Sequence, residues 1–123
     1  MIKIIFLLSL LALLSCQSDD NTYSFSVLSI DGNRPLLAEK ETACLELSEN
    51  FFTMKLSVEG TNDFKQYTAT HAGERYLIES CGIQSPEIVI QDANTTGQLV
   101  MQIQDDKHRE CLKKSPVLKE KCN

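Results

Sequence analysis

The chain has 123 residues, of which 12 are basic and 17 acidic, and its formal charge at pH 7 is −5. This length fits one domain with a modest core. Phosphate contacts dominate affinity for nucleic acids, so this acidic chain is not expected to bind them. Residues 17–106 hold 15 acidic and five basic side chains, whereas residues 107–123 hold six basic and two acidic ones. We expect the basic tail to fold onto the acidic body; the alternative is contact with lipid phosphates.

The N-terminus has the composition of an export signal. One basic residue, Lys3, precedes a run of apolar or small residues over positions 4–14. A helix needs about 20 apolar residues to cross a bilayer. The run is therefore too short for an anchor and predicts a signal peptide that is removed.

The next feature is the sequence Leu13-Leu14-Ser15-Cys16, which resembles the lipobox of bacterial lipoproteins. The resemblance implies cleavage after Ser15 and attachment of diacylglycerol and palmitate to Cys16, with the membrane as a partner. The alternative is an ordinary secretory signal with a chance cysteine. The predicted organisation is a signal peptide (1–15), a lipidated cysteine with its tether (16–22) and a single β-rich domain (23–123).

A short acidic segment follows the cysteine: Gln17, Ser18, Asp19 and Asp20. It resembles the surface-export signal of lipoproteins of the Bacteroidota, and the resemblance implies an outer-membrane lipoprotein at the cell surface. One alternative is a plain polar tether, since the composition is also that of a disordered linker. A lipoprotein that faces the periplasm is the other.

Four cysteines remain after the lipobox, at positions 44, 81, 111 and 122. An even number in an exported chain predicts two disulfides, with three possible pairings. We expect Cys111–Cys122, which closes a short loop, and Cys44–Cys81, which links two strands. There is no CxxC pair, so no zinc or redox site is expected.

Alternating apolar residues and turn signals predict an all-β fold. We expect a small antiparallel meander that closes as a barrel or sandwich of about seven strands, with one short C-terminal helix. The predicted strands span residues 22–30, 42–48, 51–59, 64–70, 75–80, 87–91 and 98–104.

The C-terminal helix is predicted from its charges. Asp105 and Asp106 suit a helix N-terminus, Lys113 and Lys114 suit its C-terminus, and Pro116 ends it. One face of this helix would be buried, and it carries His108, Cys111, Leu112 and Ser115.

Candidate catalytic or metal-binding residues are few. His71 falls in a predicted hairpin turn and His108 on the buried helix face, and both are interpreted as structural. Asp31-Gly32-Asn33 resembles the start of a calcium loop, but position 42 is Thr instead of the closing Glu. We therefore expect no metal, no cofactor and no enzymatic activity.

The aromatic residues include one consecutive pair, Phe51 and Phe52. A strand would point them to opposite faces, so one should lie in the core and the other be partly exposed. An exposed Phe beside Tyr67 would form a binding patch; the alternative is an edge covered by the 35–41 loop or the C-terminal helix.

One fold-level resemblance concerns residues 25–32 (FSVLSIDG) with Val58-Glu59-Gly60 and Asn62. These residues resemble the META-type β-domains of bacterial envelope lipoproteins. The Gly-Cys-Asn element of that family is absent, since Thr61-Asn62-Asp63 stands in its place. The resemblance implies a small all-β lipoprotein domain and transfers no site.

Three functions are compatible with these features. The first is a non-catalytic surface module that binds a protein or glycan partner. The second is a carrier of small apolar ligands with a lipocalin-like barrel. The third is a protease inhibitor that presents Lys113 and Lys114 on a Cys111–Cys122 loop.

Overall fold

The structure is a computed structural model that describes residues 22–122. The predicted signal peptide, the lipobox with Cys16, and the predicted export signal of Gln17, Ser18, Asp19 and Asp20 lie outside the described residues.

Two antiparallel sheets and two α-helices make up the described fold. The first sheet contains β1 (Phe25–Ser29), β2 (Arg34–Ala38), β5 (Arg75–Ser80), β6 (Ile83–Gln84) and β7 (Ile88–Val89). The second contains β3 (Thr42–Leu47), β4 (Phe51–Leu56) and β8 (Gln98–Gln102). The helices are α1 (Val58–Thr70) and α2 (Asp106–Leu112), and a 3₁₀ turn spans Glu39–Glu41.

The first sheet has the order β2-β1-β5-β6, with β7 also paired to β5, and the second has the order β3-β4-β8. One cluster of buried side chains joins both sheets and α1. It includes Val27, Ile78, Leu45, Met54, Phe52 and Phe64. The predicted β-rich fold is thus confirmed at the level of two antiparallel sheets, which is consistent with a sandwich. The predicted barrel is wrong, since no closed barrel forms in residues 22–122.

The predicted strand at residues 64–70 is wrong, because this segment belongs to helix α1. The helix begins after Ser57, whose hydroxyl accepts a hydrogen bond from the Gly60 N–H at 3.0 Å, as an N-cap does. Gly60, Phe64 and Thr68 are four residues apart and share the buried face. A Cβ at Gly60 would lie 2.7 Å from the Glu41 carbonyl oxygen, so the glycine lets α1 approach the 3₁₀ turn.

The same helix shortens the predicted strand at residues 51–59. Strand β4 ends at Leu56, and Val58 lies in the first turn of α1 with 82% of its surface exposed. Residues 60–63, which separate the predicted strands 51–59 and 64–70, are likewise helical. The six other predicted strands each contain a strand of the structure.

The predicted disulfide pairing is also wrong. The bridges are Cys44–Cys122 and Cys81–Cys111. Residues 117–119 run parallel to β3: the Leu45 N–H donates to the Val117 carbonyl, and the Leu45 carbonyl accepts from Lys119 N–H. This path brings Cys122 to Cys44 and leaves Cys111, on α2, facing Cys81.

The basic tail therefore folds onto the body, as expected. Arg109 donates hydrogen bonds to the carbonyls of Ser48 and Glu49, and the Cys122 N–H donates to the Glu46 carboxylate at 2.8 Å. The tail is attached to the body by specific hydrogen bonds and by two disulfides.

The two bridges should differ in their effect on stability. They close loops with sequence separations of 78 and 30 residues. Chain entropy predicts that Cys44→Ser with Cys122→Ser lowers the free energy of unfolding by about 4.5 kcal/mol, and Cys81→Ser with Cys111→Ser by about 3.7 kcal/mol. Urea denaturation of both double variants measures the difference. Peptide mapping under non-reducing conditions that linked Cys44 to Cys81 would contradict the pairing.

Helix α1 also packs closely against the residue before β8. Gly97 has a φ of +70°, a region that side chains disfavour, and a Cβ there would overlap the Thr61 side chain. The Gly97 carbonyl accepts a hydrogen bond from the Leu56 N–H at 2.8 Å. Position 97 therefore needs glycine for two reasons: its φ is positive, and a side chain there would overlap Thr61.

A matched pair of glycine substitutions separates these two needs. Gly82 has a φ of +77°, and an added Cβ would meet nothing within 4 Å. We expect Gly82→Ala to lower the free energy of unfolding by about 1 kcal/mol, and Gly97→Ala by about 3 kcal/mol because it adds the overlap with Thr61. Urea denaturation gives both values, and equal losses would argue against the contact.

Candidate functional site

A cleft of about 580 Å³ opens where three separate segments meet. Thr22 and Ser24 lead into β1, residues 79–83 run from the end of β5 to the start of β6, and residues 105–111 belong to the cap and body of α2. Hydroxyl, carboxylate and ammonium groups lie along its wall, from Ser24, Glu79, Asp105 and Lys107. The cleft is mixed in character: polar groups of both charges lie beside the apolar surface of Ile83 and of the Cys81–Cys111 bridge.

The predicted helix over the end of the chain is confirmed and forms one wall of this cleft. Asp105 is its N-cap, and its carboxylate accepts a hydrogen bond from the His108 N–H at 2.8 Å. His108, Cys111, Leu112 and Ser115 are all buried, as the predicted face requires. Helix capping therefore accounts for Asp105.

His108 is held by the fold on both sides of its ring. Its Nδ1 accepts a hydrogen bond from the Gln104 N–H at 3.2 Å, so a neutral ring carries its proton on Nε2, which lies 3.5 Å from the Ser80 hydroxyl. The ring also packs edge-on against Phe52. Burial lowers the pKa of His108, and the nearby Asp105 carboxylate opposes this effect. The arrangement favours a neutral histidine that positions α2.

The Cys81–Cys111 disulfide lies in the same wall. Cys81 has a φ of +54°, and Gly82 follows with a φ of +77°, so the chain turns sharply at the bridge. The Cys111 sulfur lies 3.5 Å from the Thr22 carbonyl oxygen, where the described chain begins. The bridge therefore fixes α2 relative to the end of β5 at the wall of the cleft.

His71 lies elsewhere, at the C-terminal end of α1, in the turn before β5. Its ring stacks on Tyr67 at 3.8 Å, its Nδ1 is 2.8 Å from the Tyr67 carbonyl, and Glu74 lies 3.9 Å from Nε2. The two histidines share no partner. Within residues 22–122 no three His, Cys, Asp or Glu side chains converge as metal ligands would.

The Asp31-Gly32-Asn33 turn, which resembles the start of a calcium loop in sequence, contacts Arg75 in the structure. The Asp31 carboxylate accepts hydrogen bonds from the Arg75 backbone N–H at 2.7 Å and from its guanidinium at 3.0 Å. The side-chain and backbone hydrogen bonds from Arg75 lower the pKa of Asp31. This ion pair, extended by Glu87, ties the β1–β2 turn to the start of β5.

The consecutive aromatic residues divide as predicted. Phe52 is buried in the core and Phe51 is 43% exposed. Tyr67 does not share a patch with Phe51; its ring contacts His71 and the Arg34 guanidinium, and its hydroxyl donates to Ser29. The exposed Phe51 belongs to the outer face of β4.

Comparisons with known proteins identify a similar fold and no family. No family model and no curated protein matches this chain. A solved structure described as "a membrane component SecDF that enhances protein export" is 23% identical over 63% of this chain and 38% of its own, with a TM-score of 0.52. "SecDF in Super-membrane-facing form" is 23% identical over 69% of this chain and 13% of its own, with a TM-score of 0.55. This chain thus matches a minor part of each, and the likeness concerns the fold alone. None of the helices described in this chain is long and apolar enough to cross a membrane.

The lowered pKa of His108 makes stability depend on pH. The unfolded chain binds a proton at this histidine near pH 6.5, whereas the folded chain resists it because the ring is buried. The unfolded state therefore gains stability as pH falls below about 6.5. We expect the free energy of unfolding to fall between pH 7 and pH 5, and to fall less in His108→Gln.

Chemical denaturation at several pH values measures this slope. His71→Gln is the control, since it removes the other histidine. If His71→Gln flattens the profile and His108→Gln does not, the assignment to His108 is wrong.

Proposed function

We propose that this protein is an outer-membrane lipoprotein at the cell surface, whose β-rich domain binds a protein or glycan partner and catalyses no reaction. The observation that carries the proposal is the use of the cysteines. The chain has five, and the four in the described residues pair with each other, which leaves Cys16 outside the bridges. Its place after Leu13-Leu14-Ser15 supports lipidation, and the two disulfides support export to an oxidising compartment.

The tether would hold the cleft near the membrane. Five residues lie between Cys16 and Thr22, so the two are six residue steps apart. An extended chain spans at most about 3.5 Å per step, or about 21 Å in total. Since Thr22 lines the cleft, an acylated Cys16 would keep this recess within that distance of the lipid. Its hydroxyl, carboxylate and ammonium groups lie beside apolar surface, and this combination suits a partner with both polar and apolar faces, such as a glycan or a peptide loop.

Each of the two other functions that the sequence suggested needs a structural feature that residues 22–122 do not have. The carrier of apolar ligands needed a barrel, whereas the interior is filled by Phe52, Leu45 and Met54, each at most 1% exposed. The protease inhibitor needed a loop closed by Cys111–Cys122, and these cysteines belong to different bridges. The binding module is the proposal that the geometry supports best.

Protease shaving of intact cells tests whether the domain is exposed at the cell surface. We expect wild type to be removed by external protease and an Asp19→Ala, Asp20→Ala variant to be protected, because the second lacks the acidic export segment. Asp63→Ala with Asp92→Ala is the matched control: it removes two exposed carboxylates from the domain and should be shaved as wild type is. A periplasmic protein must stay intact throughout.

Fractionation of Cys16→Ser tests the anchor separately. The variant should leave the membrane fraction, whereas Asp19→Ala with Asp20→Ala should stay in it. Membrane-bound Cys16→Ser would contradict the lipid anchor. Protection of wild type in cells with an intact outer membrane would contradict surface exposure.

A further inference from the structure

Strand β8 has one open edge. It pairs with β4 on one side, and within residues 22–122 no strand pairs with its other side. The Ile103 N–H donates to the Asn50 carbonyl and the Leu56 N–H donates to the Gly97 carbonyl, just beyond the two ends of the ladder. In an antiparallel ladder these bonds alternate, so the odd-numbered residues of β8 bond to β4. Gln98, Val100 and Gln102 therefore direct their backbone groups towards the open edge.

The centre of this edge is unpaired. Side chains bond to its ends: Thr96 accepts from the Gln98 N–H at 3.2 Å, Asn94 donates to the Gln98 carbonyl at 3.2 Å, and Gln104 donates to the Gln102 carbonyl at 3.4 Å. Neither backbone group of Val100 has a hydrogen-bond partner within residues 22–122. The opposite edge of the same sheet differs, because residues 117–119 bond to Leu45 on β3.

The sequence of this strand is complementary to itself. Gln98-Leu99-Val100-Met101-Gln102 has the same order of polar and apolar residues in both directions and carries no charge. In an antiparallel pair centred on Val100, each Gln98 would face a Gln102 and the two valines would face each other. Each of these pairs joins residues whose backbone N–H and C=O groups point away from β4, towards the open edge. Protected edge strands usually carry lysine, proline or a bulge, and β8 carries none of them.

An exposed apolar patch lies beside the same edge. Val100 is 54% exposed and Phe51 is 43% exposed. Phe51 faces Gln102 and Thr53 faces Val100 in the β4–β8 register, so these side chains share the outer face of the sheet. A strand added to the edge would cover part of this patch.

We propose that β8 pairs antiparallel with β8 of a second copy of this chain, with the two-fold axis at Val100. The pairing joins two three-stranded sheets into one sheet of six strands. It uses the unpaired backbone groups of Val100 in both copies, replaces the side-chain hydrogen bonds at Gln98 and Gln102 with backbone ones, and opposes no like charges. One five-residue strand makes a small interface, so the dimer dissociates readily and is best detected by covalent capture. The proposal does not depend on the lipid anchor.

Cysteine cross-linking of the full chain tests the register. Paired residues of this kind have Cα atoms about 5.5 Å apart, within the range that a disulfide spans. Val100→Cys should therefore shift from monomer to covalent dimer under mild oxidation. Thr53→Cys is the matched control on the same face. Since strands lie about 4.8 Å apart, two copies of position 53 are about 14 Å apart and should stay monomeric.

Two further variants distinguish this register from random collision. Gln98→Cys and Gln102→Cys should each stay monomeric alone and should cross-link when they are produced together. Wild type shows any background from the native cysteines. Dimer from Val100→Cys at the level of Thr53→Cys would overturn the proposal, as would equal dimer from Gln98→Cys alone. Capture of a different protein by Val100→Cys would also overturn it and assign the edge to another partner.

Discussion

The structure depends on the attachment of its last 16 described residues to both sheets. The Cys81–Cys111 bridge joins α2 to the end of β5 in the first sheet, and Cys44–Cys122 joins the chain end to β3 in the second. Leu112 and His108 are almost completely buried, and between Cys111 and Cys122 the chain pairs Leu118 with Leu45. The C-terminal segment thus contributes to the core, covers one sheet edge and provides one wall of the cleft.

Local patterns predict the strands and α2 because their causes are local. In β1 the alternation of Phe25 and Val27 with serines follows from one buried face. In α2 the cap, the terminal charges and the buried face lie within 12 residues. Helix α1 was not predicted, because Phe64, Tyr67 and Thr68 favour strands by propensity and Gly60 resembles a turn signal. Gly60 is buried in the helix because of Glu41, a neighbour 19 residues earlier in the chain.

The cleft and the disulfide pairing could not be predicted from sequence for a related reason. Thr22, Gly82 and Lys107 come from three segments that only the tertiary fold brings together. The pairing of Cys44 with Cys122 follows from the parallel path of residues 117–119 along β3, which has no periodic signal. Cys111 and Cys122 both lie in the C-terminal segment, so a pairing that closed a short loop between them and linked the two strand cysteines misassigned all four.

The bridges also form two nested covalent rings, since the 81–111 loop lies inside the 44–122 loop. A single backbone cut anywhere between Cys44 and Cys122 opens a ring but releases no fragment. Only a cut before Cys44 or after Cys122 separates one part of the chain from another. A domain with this covalent topology would remain in one piece after the occasional nick that an extracellular protease makes in its loops. The segment between Cys16 and Thr22 is outside both rings, so a single cut there would leave residues 22–123 in one piece and separate them from the lipid that we propose on Cys16.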